Sequence, residues 1–503
     1  MVLRTYTVAF HGAEAAPVEV QCALSPGVPG FSVVGLPDKT VSEARERVRA
    51  ALSTMRIALP SQRITINLSP ADMPKAGSHY DLPIALAILA ALKVVPADAV
   101  AEHSALGELS LDGKLVPVAG TLPAAMAAAE EGRGLLCAAA SAAEAAWSDA
   151  TRVIGAATLG ELVRHLTGQA PLLPAEAGQV IRARFQPDLS EVRGQEKAKR
   201  ALEIAAAGRH HLLMIGVPGA GKSMLAKRLP GILPDLTPRE ALETSIVHSL
   251  AGLLDGGGIS CSPPFMEPHH TASTAAIVGG GRGAQPGEIS LAHNGVLFLD
   301  EMPEFAPAVL DTLRQPMETG EVTVSRANAH VRYPCRFLLA AAANPCRCGY
   351  LSDPARSCSK APKCSEGYLG KISGPLLDRF DIRLDVPAVP FLELEQRDPG
   401  ESSASVRARV IAARRIQAKR FGEGERLRLN ADLSGDRLDA CAAPDSEGRA
   451  LMLRAAERFS LSARGYHRVL RLARTIADLD GSEAVRRPHL AEALAFRVAC
   501  LPF

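Results

Sequence analysis

Eight consecutive residues constrain this chain more than any others: Gly216, Val217, Pro218, Gly219, Ala220, Gly221, Lys222 and Ser223. An apolar run, HLLMIG, leads into them and a helical pattern, KSMLAKRL, leads out, with Met224 in its first turn. Every fixed position of G-x-x-x-x-G-K-[ST] is filled, in the strand-to-helix context that the motif requires. The glycines let backbone N–H groups curl around phosphate oxygens, and the following helix points its positive end at the same place. In such a cradle Lys222 reaches the β- and γ-phosphates of ATP, and the Ser223 hydroxyl ligates Mg2+.

A phosphate cradle alone hydrolyses nothing. Downstream, GVLFLDE reads as a buried strand ending in two carboxylates, Asp300 and Glu301. Asp300 at the strand tip holds the Mg2+ through water, and Glu301 orients and deprotonates the attacking water. A third apolar run, Arg336 to Ala343, ends in Asn344, placed where a γ-phosphate sensor would sit. Arg379, in SGPLLDRFDI, has two readings. It either reaches a neighbouring subunit's γ-phosphate from a subunit edge, or pairs with Asp378 or Asp381. Further on, Ser462-Ala-Arg464 opens a helix that continues through Arg468. One of these two arginines is expected to fold over the phosphates from within the same chain.

Strand-like and helical runs alternate through this region, which predicts a parallel α/β sheet. The 503 residues are too many for one core. We divide them into an amino-terminal domain (1–167), a Pro/Gly-marked linker (168–187), an α/β core (188–390) and a helical, Arg-rich lid (391–503). Lys+Arg 56 against Asp+Glu 54 is close to neutral. A dedicated polyanion binder carries a basic excess, so any nucleic-acid contact must be local. The amino terminus lacks the pattern of a signal peptide, and the longest apolar stretch, Leu82 to Leu92, is about half a bilayer span. That stretch reads as a buried helix, and the chain as a cytoplasmic one that makes no membrane contact.

Several segments together, VRGQEKAKRALEIAAAGRHHLLMIGVPGAGKS, GGGRGAQPGEISLAHNGVLFLDEMPEF, LRQPMETGEVTVSRA, AAANPCRCGY and ISGPLLDRFDI, resemble the magnesium-chelatase-like AAA+ ATPases. Within these the likeness is to the competence-associated ComM/YifB group, and it covers essentially the whole chain. The resemblance implies an AAA+ ring, a hexamer, with Arg379 as its arginine finger and Val192 to Gln195 lining the adenine pocket. It further implies ATP-driven branch migration or unwinding of DNA in recombination. Two loops bear on that: Thr271 to Ser290, with Arg282 at a Gly-rich tip, and the hairpin Val322 to Tyr333, which carries Arg326 and Arg332. One copy of each from every subunit of a ring projects positive charge towards single-stranded or branched DNA. The bland alternative is a pair of surface loops that only support the ring.

The amino-terminal stretch ITINLSPADMPKAGSHYDLPIALAILAA, then GELSLDGKLVPVAG, looks like the α+β fold shared by Lon-type protease domains and ribosomal protein S5. Lon-type proteolysis needs a serine activated by a lysine amine. In this register the serine position falls on His79 and the lysine position on Ala124, with Ser78 one residue off, so we expect no protease activity. Finally, Cys346, Cys348, Cys358 and Cys364 cluster in sequence, and four thiolates are a complete tetrahedral set for structural Zn2+. Reduced thiols and redox pairing are the alternatives. Two functions follow from the whole: a DNA motor, or a chelatase-type ATPase that remodels a protein partner during metal insertion.

Overall fold

A computed structural model of the chain describes residues 2–149, 151–181, 186–281, 284–326, 329–351, 358, 360, 362–390, 400–422 and 429–498. The amino-terminal unit is built on a seven-stranded sheet. Its order is Gly30–Val34, Arg63–Ser69, Glu14–Ser25, Val2–His11, His103–Leu106, Gly134–Ala138 and Val153–Ala156. The two long central strands pair antiparallel from Val2↔Ala23 to His11↔Glu14. Against them lies the Asp81–Ala91 helix, buried from Asp81 to Ala90. An apolar stretch too short to span a bilayer is thus consumed as core. The single carboxylate in it, Asp81, takes a two-pronged grip from Arg47, whose Nε and Nη2 donate at 2.6 and 2.9 Å. Burial still raises the Asp81 carboxyl above its usual range, and the fork offsets part of that cost.

The linker expected at 168–187 is partly ordered into structure. Val180–Ile181 pairs in parallel with Ile259–Ser260. Other contacts fix the amino-terminal unit onto the rest: the Trp147 indole donates to the Gly257 carbonyl at 2.8 Å, and Ser249 Oγ donates to the buried Glu144 carboxylate.

The second sheet is wholly parallel, as the alternating pattern predicts. Its order is Phe265–Met266, Val296–Leu299, Leu338–Ala343, Leu212–Gly216 and Ile382–Val386. Of the three interior strands, Val296–Leu299 and Leu338–Ala343 are buried at every residue and Leu212–Gly216 at all but its last, as strands covered on both faces must be. One face packs under the hairpin Glu321–Arg326/Ala329–Pro334 and the Lys363–Leu369 helix. The other face packs under the Glu196–Gly208 helix and the carboxyl-terminal helices Ser403–Phe421, Gly435–Ala442, Ser446–Arg458, Ala463–Leu479 and Arg487–Val498.

On that second face the carboxyl-terminal helices are packed directly onto the sheet. Val410, Leu472, Ile476 and Leu490 share one continuous core with Leu212, Met214 and Leu384 of the sheet. Among the described residues no helix is long and apolar enough to cross a membrane.

Candidate nucleotide site

Three strands of the parallel sheet end at one edge, and each delivers part of the site. Register fixes their relative height: Ile215 lies beside Ala343, and Leu299 beside Ala341. The loop after Gly216, the Asp300–Glu301 pair and Asn344 therefore emerge side by side at the carboxyl ends of the strands, where open α/β sheets bind ligands. Gly216 itself sits against the adjoining strand, since a Cβ there would stand 2.2 Å from the Val386 carbonyl oxygen.

Lys222, 8% exposed, donates from Nζ to the carbonyls of Gly216 at 2.7 Å and Val217 at 3.0 Å, and to Asn344 Oδ1 at 3.1 Å. Burial holds this ammonium below its usual range, and the charges of Asp300 and Glu301 pull it back up. Ser223 Oγ donates to Asp300 Oδ2 at 2.6 Å. The other Asp300 oxygen accepts from the Glu301 backbone amide at 2.9 Å. Glu301 has φ 48°, a left-handed conformation uncommon outside glycine, and its side chain is exposed. Pro218, Gly219, Met224 and Ala343 complete the walls of a cavity of about 330 Å³ that Lys222, Ser223, Asp300, Glu301 and Asn344 line. The paired hydroxyl and carboxylate are hard oxygen donors of the kind that hold Mg2+. They suit that ion, and the lysine suits a polyphosphate.

Val192 and Gln195 do not line this cavity. Val192 is buried in the core beside Ala220 and Leu225. The Gln195 amide donates to the carbonyls of Pro387 at 2.6 Å and Ala220 at 3.4 Å, so it braces the back of the phosphate loop.

The basic residues expected around the phosphates stand elsewhere. Arg379, 7% exposed, is held within the chain: Nε donates to the Arg314 carbonyl at 3.0 Å, and Nη2 meets Glu318 Oε1 at 2.5 Å. Its ion-pair partner is Glu318, not Asp378 or Asp381. Those two aspartates are taken by Arg497 and Arg383, and by Arg468 and His210.

Arg464 and Arg468 are not over the cradle, which corrects the expectation that one closes on this chain's own phosphates. Arg468 donates to Asp381 Oδ1 at 2.7 Å and to the Arg379 carbonyl at 2.9 Å. Asp381 lies beside His211, at the amino-terminal edge of the sheet. Five strand residues separate that level from Gly216, roughly 16 Å. The cause is a buried polar network that pins the Ala463–Leu479 helix there. Thr475 bonds His210 at 2.7 Å, and Asp478 gathers Arg474, Arg420 and Asn430. Arg464 and Arg468 line a second cavity, about 440 Å³, with Arg209, Arg336, Arg471 and Glu318.

Of the three arginines expected to meet DNA, Arg282 and the Arg326 side chain lie outside the described residues. Arg332 is exposed on the Ala329–Pro334 strand, opposite Thr323. The hairpin itself falls where the sequence predicts. In the amino-terminal unit, His79 is buried with Nε2 on the Val8 carbonyl at 3.0 Å, and Ala124 is packed in the core. Neither position supplies a nucleophile and its base. The four clustered cysteines bring their sulfurs within 4.8 Å of one another. Tyr368 is a site neighbour that sequence reasoning missed. Its hydroxyl lies beside the Asn344 backbone, and burial pushes it up to about 12. A lone tyrosine in a polar stretch gives no signal of such a place.

Comparison with known proteins agrees with this layout. The family described as magnesium chelatase, subunit ChlI, matches residues 188–394, its carboxyl-terminal family matches 400–497, and the family described as subunit ChlI of Mg-chelatase matches 18–141. The chain is 44% identical to "Competence protein ComM" of Haemophilus influenzae, over 98% of this chain and 96% of that protein. It is 43% identical to the uncharacterized protein YifB of Escherichia coli, with the same shares covered. To the magnesium-chelatase 38 kDa subunit of Rhodobacter capsulatus it is 28% identical, over 64% of this chain and 89% of that one.

Proposed function

Since the chain belongs to the ComM/YifB family of magnesium-chelatase-like AAA+ proteins, we propose that it is a cytoplasmic, ring-forming ATPase that couples ATP hydrolysis to translocation, branch migration or unwinding of DNA. One observation carries the ATPase part. Lys222, the Ser223–Asp300 pair, Glu301 and Asn344 reach one cavity from three adjacent strand ends. Phosphate oxygens take the place of the carbonyls that now hold Lys222. Mg2+, when bound beside Ser223 and Asp300, neutralises charge developing on the transferring phosphoryl group. Glu301, exposed at the strand tip, accepts the proton of the attacking water. Asn344, already bonded to Lys222, reads the γ-phosphate.

Arg379, Arg464 and Arg468 share the far edge of the sheet. In a hexameric ring they serve a neighbour's nucleotide rather than their own. Arg379 exchanges the half-exposed Glu318 for the neighbour's γ-phosphate.

The DNA part draws on the name of a full-length relative and on the hairpins Gly279–Gly280/Gln285–Pro286 and Glu321–Arg326/Ala329–Pro334, on the second of which Arg332 is an exposed cation. The amino-terminal unit, which we take to be a Lon/S5-like domain without protease chemistry, serves as a docking unit. Steady-state ATPase with and without single-stranded or forked DNA at low salt tests the proposal. Turnover unchanged by any DNA would remove the motor and favour the second reading, a chelatase-type remodelling ATPase. That reading draws on the 28% identity to the Rhodobacter capsulatus subunit.

A further inference from the structure

The polypeptide leaves the nucleotide site at Asn344 and returns to it at Tyr368, and between these points it carries four cysteines. Cys346 is buried, and Cys348, Cys358 and Cys364 close around it with all four sulfurs within 4.8 Å. Tetrahedral zinc thiolates, with Zn–S near 2.3 Å, space their sulfurs about 3.8 Å apart. The cluster brackets that spacing, from 3.0 Å between Cys346 and Cys348 to at most 4.8 Å, so small shifts of the sulfurs suffice to grip an ion. The sequence between Leu351 and Lys363, SDPARSCSKAP, supplies no apolar side chain larger than alanine apart from proline and the cysteine itself.

The same loop bears directly on the phosphate cradle. Gly349, one residue past Cys348, lies flat against Pro218. A Cβ built on it would stand 2.5 Å from both Cδ and Cγ of that ring. Gly349 is placed there by a turn closed on the first cysteine, its amide donating to the Cys346 carbonyl at 2.9 Å. Its φ of +84° is a conformation that suits glycine. At the other end of the loop, Ser365, one residue past Cys364, donates to the Pro345 carbonyl at 2.7 Å. The Lys363–Leu369 helix then seats Tyr368 and Leu369 in the core under the sheet, the Tyr368 hydroxyl beside Asn344.

From this geometry we infer that Cys346, Cys348, Cys358 and Cys364 bind one Zn2+, and that the ion clamps Pro218 and Asn344 in their nucleotide-binding positions. Nucleotide affinity is therefore conditional on the metal occupancy of the loop. The inference rests on the nucleotide reading of the cavity. It makes the loop a second requirement for binding, set by zinc supply.

The test uses the full-length chain and reads binding, not turnover. Metal content of protein purified under reducing conditions should be about one Zn2+ per chain. Replacement by Co2+ should give thiolate-to-cobalt absorption with tetrahedral ligand-field bands. Removal by a zinc-selective chelator, with Mg2+ in excess, should weaken binding of a fluorescent ATP analogue by about tenfold or more, and added Zn2+ should restore it. Gly349→Ala separates clamp from metal: it should keep its zinc and still bind the analogue more weakly, because the new methyl displaces Pro218. The double variant Cys358→Ser, Cys364→Ser should lose both, with its circular dichroism spectrum reporting whether the rest stays folded. Absence of metal after anaerobic reconstitution would overturn the site. Metal-free protein that binds the analogue as well as the loaded form, or an unaffected Gly349→Ala, would overturn the clamp. Zinc-loaded wild type that binds no nucleotide would instead sink the reading of the cavity, and the clamp with it, while the metal count stands on its own.

Discussion

Replacing Glu301 by Gln isolates the chemical step more cleanly than any other change in the site. The side chain is exposed at the strand tip, and the residue's packing contribution is its backbone amide, which donates to Asp300 at 2.9 Å. Glutamine keeps that amide, the volume and the φ of 48°, so folding should change by less than about 0.5 kcal/mol, as for surface substitutions generally. What is lost is the proton acceptor. General-base catalysis is worth about 10²–10⁴-fold, or roughly 2.7–5.5 kcal/mol of barrier. Asp300→Asn offers the contrast. Asp300 accepts from Ser223 at 2.6 Å as well as from the Glu301 amide. Removing its charge weakens hydrogen bonds worth about 1.5–3 kcal/mol where one partner is ionised, so Mg-ATP affinity should fall about 10–150-fold. Two assays on each variant suffice: phosphate release at saturating Mg-ATP, and equilibrium binding of a fluorescent ATP analogue. Glu301→Gln should bind normally and turn over at a hundredth of wild type or less. If it keeps more than about a tenth of the turnover, or loses affinity as far as Asp300→Asn does, the division of roles between the two carboxylates is wrong.

Three further outcomes are expected. Asp381→Asn should destabilise the chain by about 3–5 kcal/mol, read as a lowered urea midpoint, because Arg468 and His210 lose a buried anion. Asp381→Leu with Arg468→Met should recover most of that loss, and a double variant as unstable as the single one would show that the pair is not the cause. Burial, partly opposed by the bond to Val8, lowers His79 from 6.5 to about 4. The unfolded chain then binds the extra proton between those values. Stability is therefore fully present above pH 6.5 and declines towards pH 4, by about 3 kcal/mol. Trp147, the one tryptophan of the chain, reports unfolding of that unit, and His79→Gln should flatten the decline; parallel curves would exclude His79 as the titrating group. Lastly, Arg379→Ala and Lys222→Ala should each be inactive alone yet regain turnover when mixed, as shared sites require. No recovery at any ratio would confine Arg379 to its ion pair with Glu318.

Much of the nucleotide site was readable because its parts are local. The GVPGAGKS loop, the strand ending in Asp300–Glu301 and the strand ending in Asn344 each carry their own pattern of apolar run and polar tip. The parallel sheet then brings the tips together without further instruction. What the sequence concealed was non-local. Arg464 opens a helix with a serine cap, and nothing near it tells which edge of the sheet that helix meets. The decision is made by His210, Thr475 and Asp478, polar residues far apart in sequence that bond only after folding. The intrachain partner of Arg379 was hidden for the same reason. Asp378 and Asp381 are its neighbours in the chain, whereas Glu318 reaches it across the fold. For the carboxyl-terminal helices, amphipathic periodicity marks an apolar face without naming what covers it. Here the parallel sheet does.

The hairpin Glu321–Arg326/Ala329–Pro334 does not stand free. Gly12, in the turn between the first two strands, abuts it so closely that a methyl group there would lie 2.3 Å from the Arg332 carbonyl oxygen. A beam clamped along one flank bends only beyond the clamp. A displacement of the Arg332 backbone therefore presses on the Gly12 turn, and the hairpin is mechanically coupled to the first two strands of the amino-terminal sheet.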